Sequence, residues 1–181
     1  MGLINLYQTV KDENGADYIE EHGPFVCSRN DAWLGTGAYF WERDINLAHW
    51  WGTESYGKGG YVICQSSYEK YADDYFDLFG NTEHLAKLID IKDDLKPRFG
   101  DKLALRKAIG VLKHYKRFPY KAVRIASDGD RNAKILIAST KKYKEYLQLS
   151  VRVQLCVLDQ SFLKSDYTIV YPKEYVQCGW V

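Results

Sequence analysis

The sequence predicts an α+β domain, a mixed or mostly antiparallel sheet flanked by helices. Strand-like runs sit at both ends of the chain and helical periodicity fills the middle. No repeat, low-complexity tract or Pro/Gly/Ser linker divides the 181 residues, so 1–181 reads as a single domain.

Residues 3–9 read as an opening strand and 16–22 as a helix ended by Gly23-Pro24. A loop through Ser28-Arg29-Asn30-Asp31 leads to the turn Leu34-Gly35-Thr36-Gly37, then to an aromatic strand over 38–41. A helix follows from Asp44, whose side chain suits an N-cap. Residues 60–66 are strand-like. Leu85, Leu88 and Ile89 give helical spacing behind Asn81-Thr82, and Leu105, Ala108, Ile109 and Leu112 repeat it behind Asp101. After Pro119 the pattern returns to strands, at 122–126, 134–138, 151–158 and 168–171.

No stretch is apolar enough to span a membrane, and the amino terminus lacks the pattern of a secretory signal, so a cytoplasmic location is expected. The four cysteines are scattered without a Cys-x-x-Cys pair, which favours reduced thiols over disulfides or zinc. The formal charge of +1 hides an asymmetry: residues 1–101 carry a net −9 and residues 102–181 a net +10. Lys102 to Arg124 holds eight cations and no acid. Such a run reads as a solvated helix face complementing the acidic half, or as a footprint for RNA, DNA or an acidic protein surface.

Several chemistries are excluded. No Gly-Lys-Ser/Thr follows the glycine turn, and no Gly-x-Gly-x-x-Gly or Gly-x-Ser-x-Gly is present. The four histidines have no ligand spacing, so no metal is expected. What stands out is the glycine turn itself. Gly35 and Gly37 would let the backbone take positive φ and approach a ligand, and Tyr39, Phe40, Trp41, Trp50 and Trp51 offer rings for a flat slot or, alternatively, for a core cluster.

Gly35-x-Gly37-x-Tyr39-Phe40, with Ala48 nine positions after the tyrosine and Trp50 eleven after it, resembles the second signature block of the ADP-ribosyltransferases of the poly(ADP-ribose) polymerase and diphtheria-toxin type. Ser28-Arg29-Asn30 before Trp33-Leu34-Gly35, and the late strand Val153 to Val157, resemble a bacterial branch of that family. The resemblance implies a split mixed sheet, NAD as substrate, and a nicotinamide ring held between Tyr39 and Trp50. It places Gln8 where the family's first block has histidine or arginine, with Tyr7 the alternative if the register slips by one. It places Gln154 where the third block has a catalytic glutamate. A glutamine there holds a ribose hydroxyl without the charge that steadies an oxocarbenium-like transition state.

The expected catalytic residues are therefore Gln154, Gln8 and Tyr39, and the expected NAD-binding residues Tyr7, Thr9, Arg29, Gly35, Gly37, Tyr39 and Trp50. Strand alternation puts Glu42 on the face opposite Tyr39, at the start of the next helix, while Asp159 and Asp166 follow the late strand as further carboxylates. The function implied is ADP-ribosyl transfer to a macromolecule, of a bacterial toxin or conflict-effector kind. The alternatives are a degenerate module binding NAD, ADP-ribose or nucleic acid, and an NAD glycohydrolase.

Overall fold

A computed structural model describes residues 2–100, 103–114, 118–127, 134–139, 144–148 and 151–176, the backbone alone for 134–139 and 144–148. Period-two burial shapes its first strand. In β1 (Leu3–Lys11), Ile4, Leu6, Gln8 and Val10 are buried while the residues between them are more exposed. Helix α1 (Ala16–His22) buries Ile19 against the same face.

Strand β2 (Ala38–Glu42) leads into helix α2 (Ile45–Tyr56), whose first turn is closed by Asp44 accepting from the Asn46 amide. The long strand β3 (Tyr61–Glu69) follows, then β4 (Tyr75–Asp77), which the sequence pattern does not reveal because three residues show no alternation. Helix α3 (Thr82–Phe99) starts at Asn81, whose side chain accepts from Glu83 and His84. Helix α4 (Leu105–His114) buries Ala108, Ile109 and Leu112, three of the residues whose spacing predicts it. The remaining strands are β5 (Ala122–Ser127), β6 (Lys134–Ser139), β7 (Lys144–Gln148), β8 (Arg152–Val157) and β9 (Thr168–Tyr171).

Seven strands form one mixed sheet in the order β4-β5-β8-β2-β1-β3-β9, antiparallel except for β4 beside β5; β6 and β7 pair as a separate two-stranded sheet. No helix among the described residues is long and apolar enough to cross a membrane. Cys64 and Cys156 are buried free thiols, both pushed up to about 12 by desolvation and so held protonated.

The centre of the sheet is split. β1 and β2 pair only at Leu6 with Glu42 and Tyr7 with Trp41. Beyond Tyr7, β1 continues against β3 as far as Lys11, while Ala38 to Phe40 of β2 pair with β8 instead. Two neighbouring strands thus diverge and leave facing backbone edges without a ladder.

The two sides of β2 differ sharply. Phe40 is fully buried in the main core with Leu6, Leu155 and Phe162. Glu42 lies on the same side and does not guard the next helix, as the sequence suggested, because Asp44 does that. Instead, Arg124 donates through Nε and Nη2 to the two Glu42 oxygens at 2.5 and 3.0 Å, and through Nη1 to Asp77 at 3.2 Å; Tyr68 adds its hydroxyl to Glu42 at 3.1 Å. The last cation of the basic run is therefore an interior residue, paired bidentately.

Candidate functional site

Tyr39 and Trp41, on the other side of β2, look into a cavity of about 820 Å³, within the range of small-molecule sites. Its floor is β2 with Arg152 and Gln154 of β8, since Trp41 and Gln154 are register partners. Trp50, Trp51 and Tyr56 of α2 form one wall, and the loop from Phe25 to Trp33 forms the other. The far end is the diverging half of β1, from Gln8 to Lys11. The split in the sheet is what opens this cleft.

Gln8, Thr9, Arg29, Tyr39, Trp50 and Gln154 all line this one cavity. Tyr7, Gly35 and Gly37 are not among its lining residues. Tyr7 packs with Trp41, Ala48 and Ile63 beneath α2. Gly35 has φ +88°, the left-handed conformation expected of a glycine turn. Gly37 serves a different need: a Cβ there would lie 2.4 Å from Cys156 Sγ and 2.8 Å from the Val157 carbonyl. The close approach it permits is to β8, and it exchanges both backbone bonds with Cys27 besides.

Tyr39 is fixed by the turn that precedes it. Its hydroxyl donates to the Gly35 carbonyl at 2.7 Å and accepts from the Leu34 amide at 3.0 Å, with Leu34 fully buried as the anchor. Burial pushes the phenol well above its ordinary value, so it stays neutral. Thr9 donates its hydroxyl to the Ala48 carbonyl at 2.8 Å, tying α2 to the edge of β1.

Gln8 is a structural clamp. Its oxygen accepts from the Phe25 amide at 2.9 Å and the Tyr167 hydroxyl at 2.7 Å; its nitrogen donates to the Phe25 carbonyl at 2.8 Å and the Tyr39 carbonyl at 3.4 Å. The side chain thus supplies a two-point pairing where β1 has left β2, satisfying buried backbone groups that a split would otherwise strand. At 4% exposure it has no capacity left for a reacting group.

Gln154 is placed differently. Its Oε1 accepts from Trp33 Nε1 at 2.7 Å. Because an indole N–H can only donate, this contact fixes which end of the amide is oxygen. The Gln154 NH₂ has no hydrogen-bond partner among the described residues, so a donor remains available in the cleft.

Sequence reasoning passed over three features. Trp33 orients Gln154 from 121 positions away in the chain. Arg152 lays its guanidinium over the Trp50 ring at 4.2 Å, and among the described residues no carboxylate pairs with it. Tyr56 joins Trp51, already grouped with the aromatic cluster in the sequence; each is 39% exposed, and they extend the aromatic wall along α2. Adjacent aromatics on one helix were the available signal.

The charges weighed in the sequence as alternatives lie elsewhere. Asp159 accepts from the Ser161 amide to cap a short 3-10 turn, and neither it nor Asp166 lines the cleft. No described residue of 102–124 lines it either; Lys121 pairs with Asp74, Lys107 lies over Phe99, and Lys102, Lys116 and Arg117 fall outside the described residues. The carboxylates in the cleft are Glu13 and Asp31, paired with Lys11 and Arg29 respectively. No protein-family model, curated protein or solved structure matches the chain.

Proposed function

We propose that the cleft binds NAD and that the protein transfers ADP-ribose from it to a macromolecular acceptor. The observation that supports this reading most is the divergence of β1 from β2, with Tyr39, Trp50 and Gln154 around the resulting opening. The nicotinamide ring would lie between Tyr39 and Trp50, its carboxamide against the unladdered edge of β1 at Thr9. The free NH₂ of Gln154 would donate to a hydroxyl of the adjoining ribose.

In the transfer, the bond between ribose C1′ and the nicotinamide nitrogen breaks and its electron pair leaves with nicotinamide. The acceptor's nucleophile attacks C1′ and releases its proton. Gln154 positions the ribose in this scheme but adds no negative charge to the developing cation, so orientation supplies the catalysis and turnover is slow. A second reading, binding of NAD or ADP-ribose without turnover, is favoured by one observation: both cleft carboxylates among the described residues are already paired.

Labelled NAD, incubated with the protein alone and with cell extract, separates the readings. Label on an acceptor means transfer, free nicotinamide alone means hydrolysis, and bound intact NAD means a binding module. NAD is expected to quench tryptophan fluorescence, with roughly tenfold weaker binding in Tyr39→Ala or Trp50→Ala. Gln154→Glu should raise cleavage by restoring the charge, and Gln154→Ala should lower it. Unchanged NAD affinity in both aromatic variants would remove the proposed ring site.

A further inference from the structure

The aromatic wall is larger than one dinucleotide needs. NAD carries two ring systems, and the nicotinamide is assigned to Tyr39 and Trp50. Trp33, Trp51 and Tyr56 still line the same cleft with 36–39% of their surface exposed. Large apolar rings left in water and gathered at one opening mark a binding surface. Trp50 and Trp51 have centroids 6.1 Å apart and planes tilted by 54°, so neither covers the face of the other.

The charges around these rings are unequal in availability. Lys11 and Arg29 each hold a carboxylate two positions further along the chain, Glu13 and Asp31. Among the described residues no carboxylate pairs with Arg152, whose guanidinium carbon lies 4.2 Å from the Trp50 ring centroid. Those residues therefore present several stacking planes and one cation without a carboxylate. A polyanion groove would need many cations, and a purely apolar peptide would need none.

We propose that the mouth of this cleft binds a short single strand of nucleic acid, with bases stacked on Trp51 and Tyr56 and one backbone phosphate on Arg152. Stacking is the sequence-tolerant part of single-strand recognition, because every base has a π face, and a duplex cannot offer it. The guanidinium suits a phosphate by its fork geometry, and its stack on Trp50 restricts it in advance. This names the acceptor class for the NAD reading, on which the transfer rests although the strand binding does not. In that transfer a base nitrogen or hydroxyl of the strand bonds to C1′, nicotinamide leaves with the electron pair, and the strand's displaced proton passes to water.

The test is fluorescence anisotropy of a labelled eight-nucleotide thymidine strand with the whole protein, across a salt series. One phosphate contact gives a slope of about −0.7 in log affinity against log salt. Arg152→Gln should bring that slope near zero, and Arg152→Lys should retain it. Trp51→Ala and Tyr56→Ala should each weaken the strand roughly tenfold with the slope unchanged. Strand binding with this pattern but without NAD binding upholds the docking surface and fails the NAD reading. NAD binding without strand binding, equal affinity for the duplex, or a steep slope indifferent to Arg152 overturns the inference, as does acceptor labelling confined to protein.

Discussion

One strand separates two opposite solutions to polar and aromatic groups. On the core side of β2, Glu42 and Arg124 are almost withdrawn from water and every charge has a partner. On the cleft side, Trp41 is covered but the rings beyond it stand in solvent, and among the described residues Arg152 is matched by a ring and by no carboxylate. The first arrangement costs a great deal to disturb and offers nothing to a ligand. The second costs little to disturb and leaves donors and planes unclaimed. Main-core packing and cleft lining are thus carried by alternate residues of the same five-residue strand.

The contrast can be broken most severely at Arg124. Arg124→Met leaves Asp77 without Arg124 and, among the described residues, Glu42 with only the exposed Arg43 cation at 3.6 Å, and unfolding free energy should fall by about 3–5 kcal/mol. A denaturant titration reads this directly. A loss below about 1 kcal/mol, the range of an exposed pair, would mean the pair is solvated and the contrast false.

Gln8 stands at the boundary between the two sides, and Gln8→Ala should cost about 2–4 kcal/mol by stranding the Phe25 backbone pair and the Tyr167 hydroxyl. The same variant should loosen one cleft wall, seen as faster hydrogen exchange at the Phe25 amide. Normal protection at Phe25 with full stability would make Gln8 a reactive candidate again.

The smallest stability effect belongs to the cleft. Trp33→Phe removes the N–H that holds Gln154 at the surface, and should change stability by about 1 kcal/mol or less. It should still alter the NAD-dependent rate, because Gln154 loses its fixed orientation. An effect on stability as large as that of Gln8→Ala would show that the cleft side supports the fold as strongly as the core side does.

Much of this was legible locally. Asp44 and Asn81 declared two helix starts through cap chemistry, and alternation along β2 separated Tyr39 and Trp41 from Phe40 and Glu42. Gln8, Thr9, Arg29, Tyr39, Trp50 and Gln154, all singled out in the sequence, line one cavity. Long-range partners were not legible. Nothing local distinguishes Gln8, with its bonding capacity spent on Phe25, Tyr39 and Tyr167, from Gln154, whose NH₂ has no partner among the described residues. The basic run, read as complementing the acidic half, does pair with it through Lys121 to Asp74 and Arg124 to Glu42 and Asp77, but not all of it as a solvated helix face. Composition counts Arg124 with its neighbours, but β5 turns it inward against Glu42 and Asp77.

The bridge between Cys27 and Gly37 has a consequence for how such a protein can diversify. Its two backbone bonds, 2.9 and 3.2 Å, staple the base of the loop that forms one cleft wall. The Gln8 clamp at Phe25 and the buried Leu34 hold the segments beside that staple. Between these anchors the tip around Arg29 to Asp31 is exposed and bears none of the sheet's pairing. Residues can be exchanged or inserted at that tip while strand register is preserved, so the loop works as an interchangeable cassette. Descendants of one scaffold could then acquire new ligands by rewriting a few positions, with the folding problem already solved beneath them.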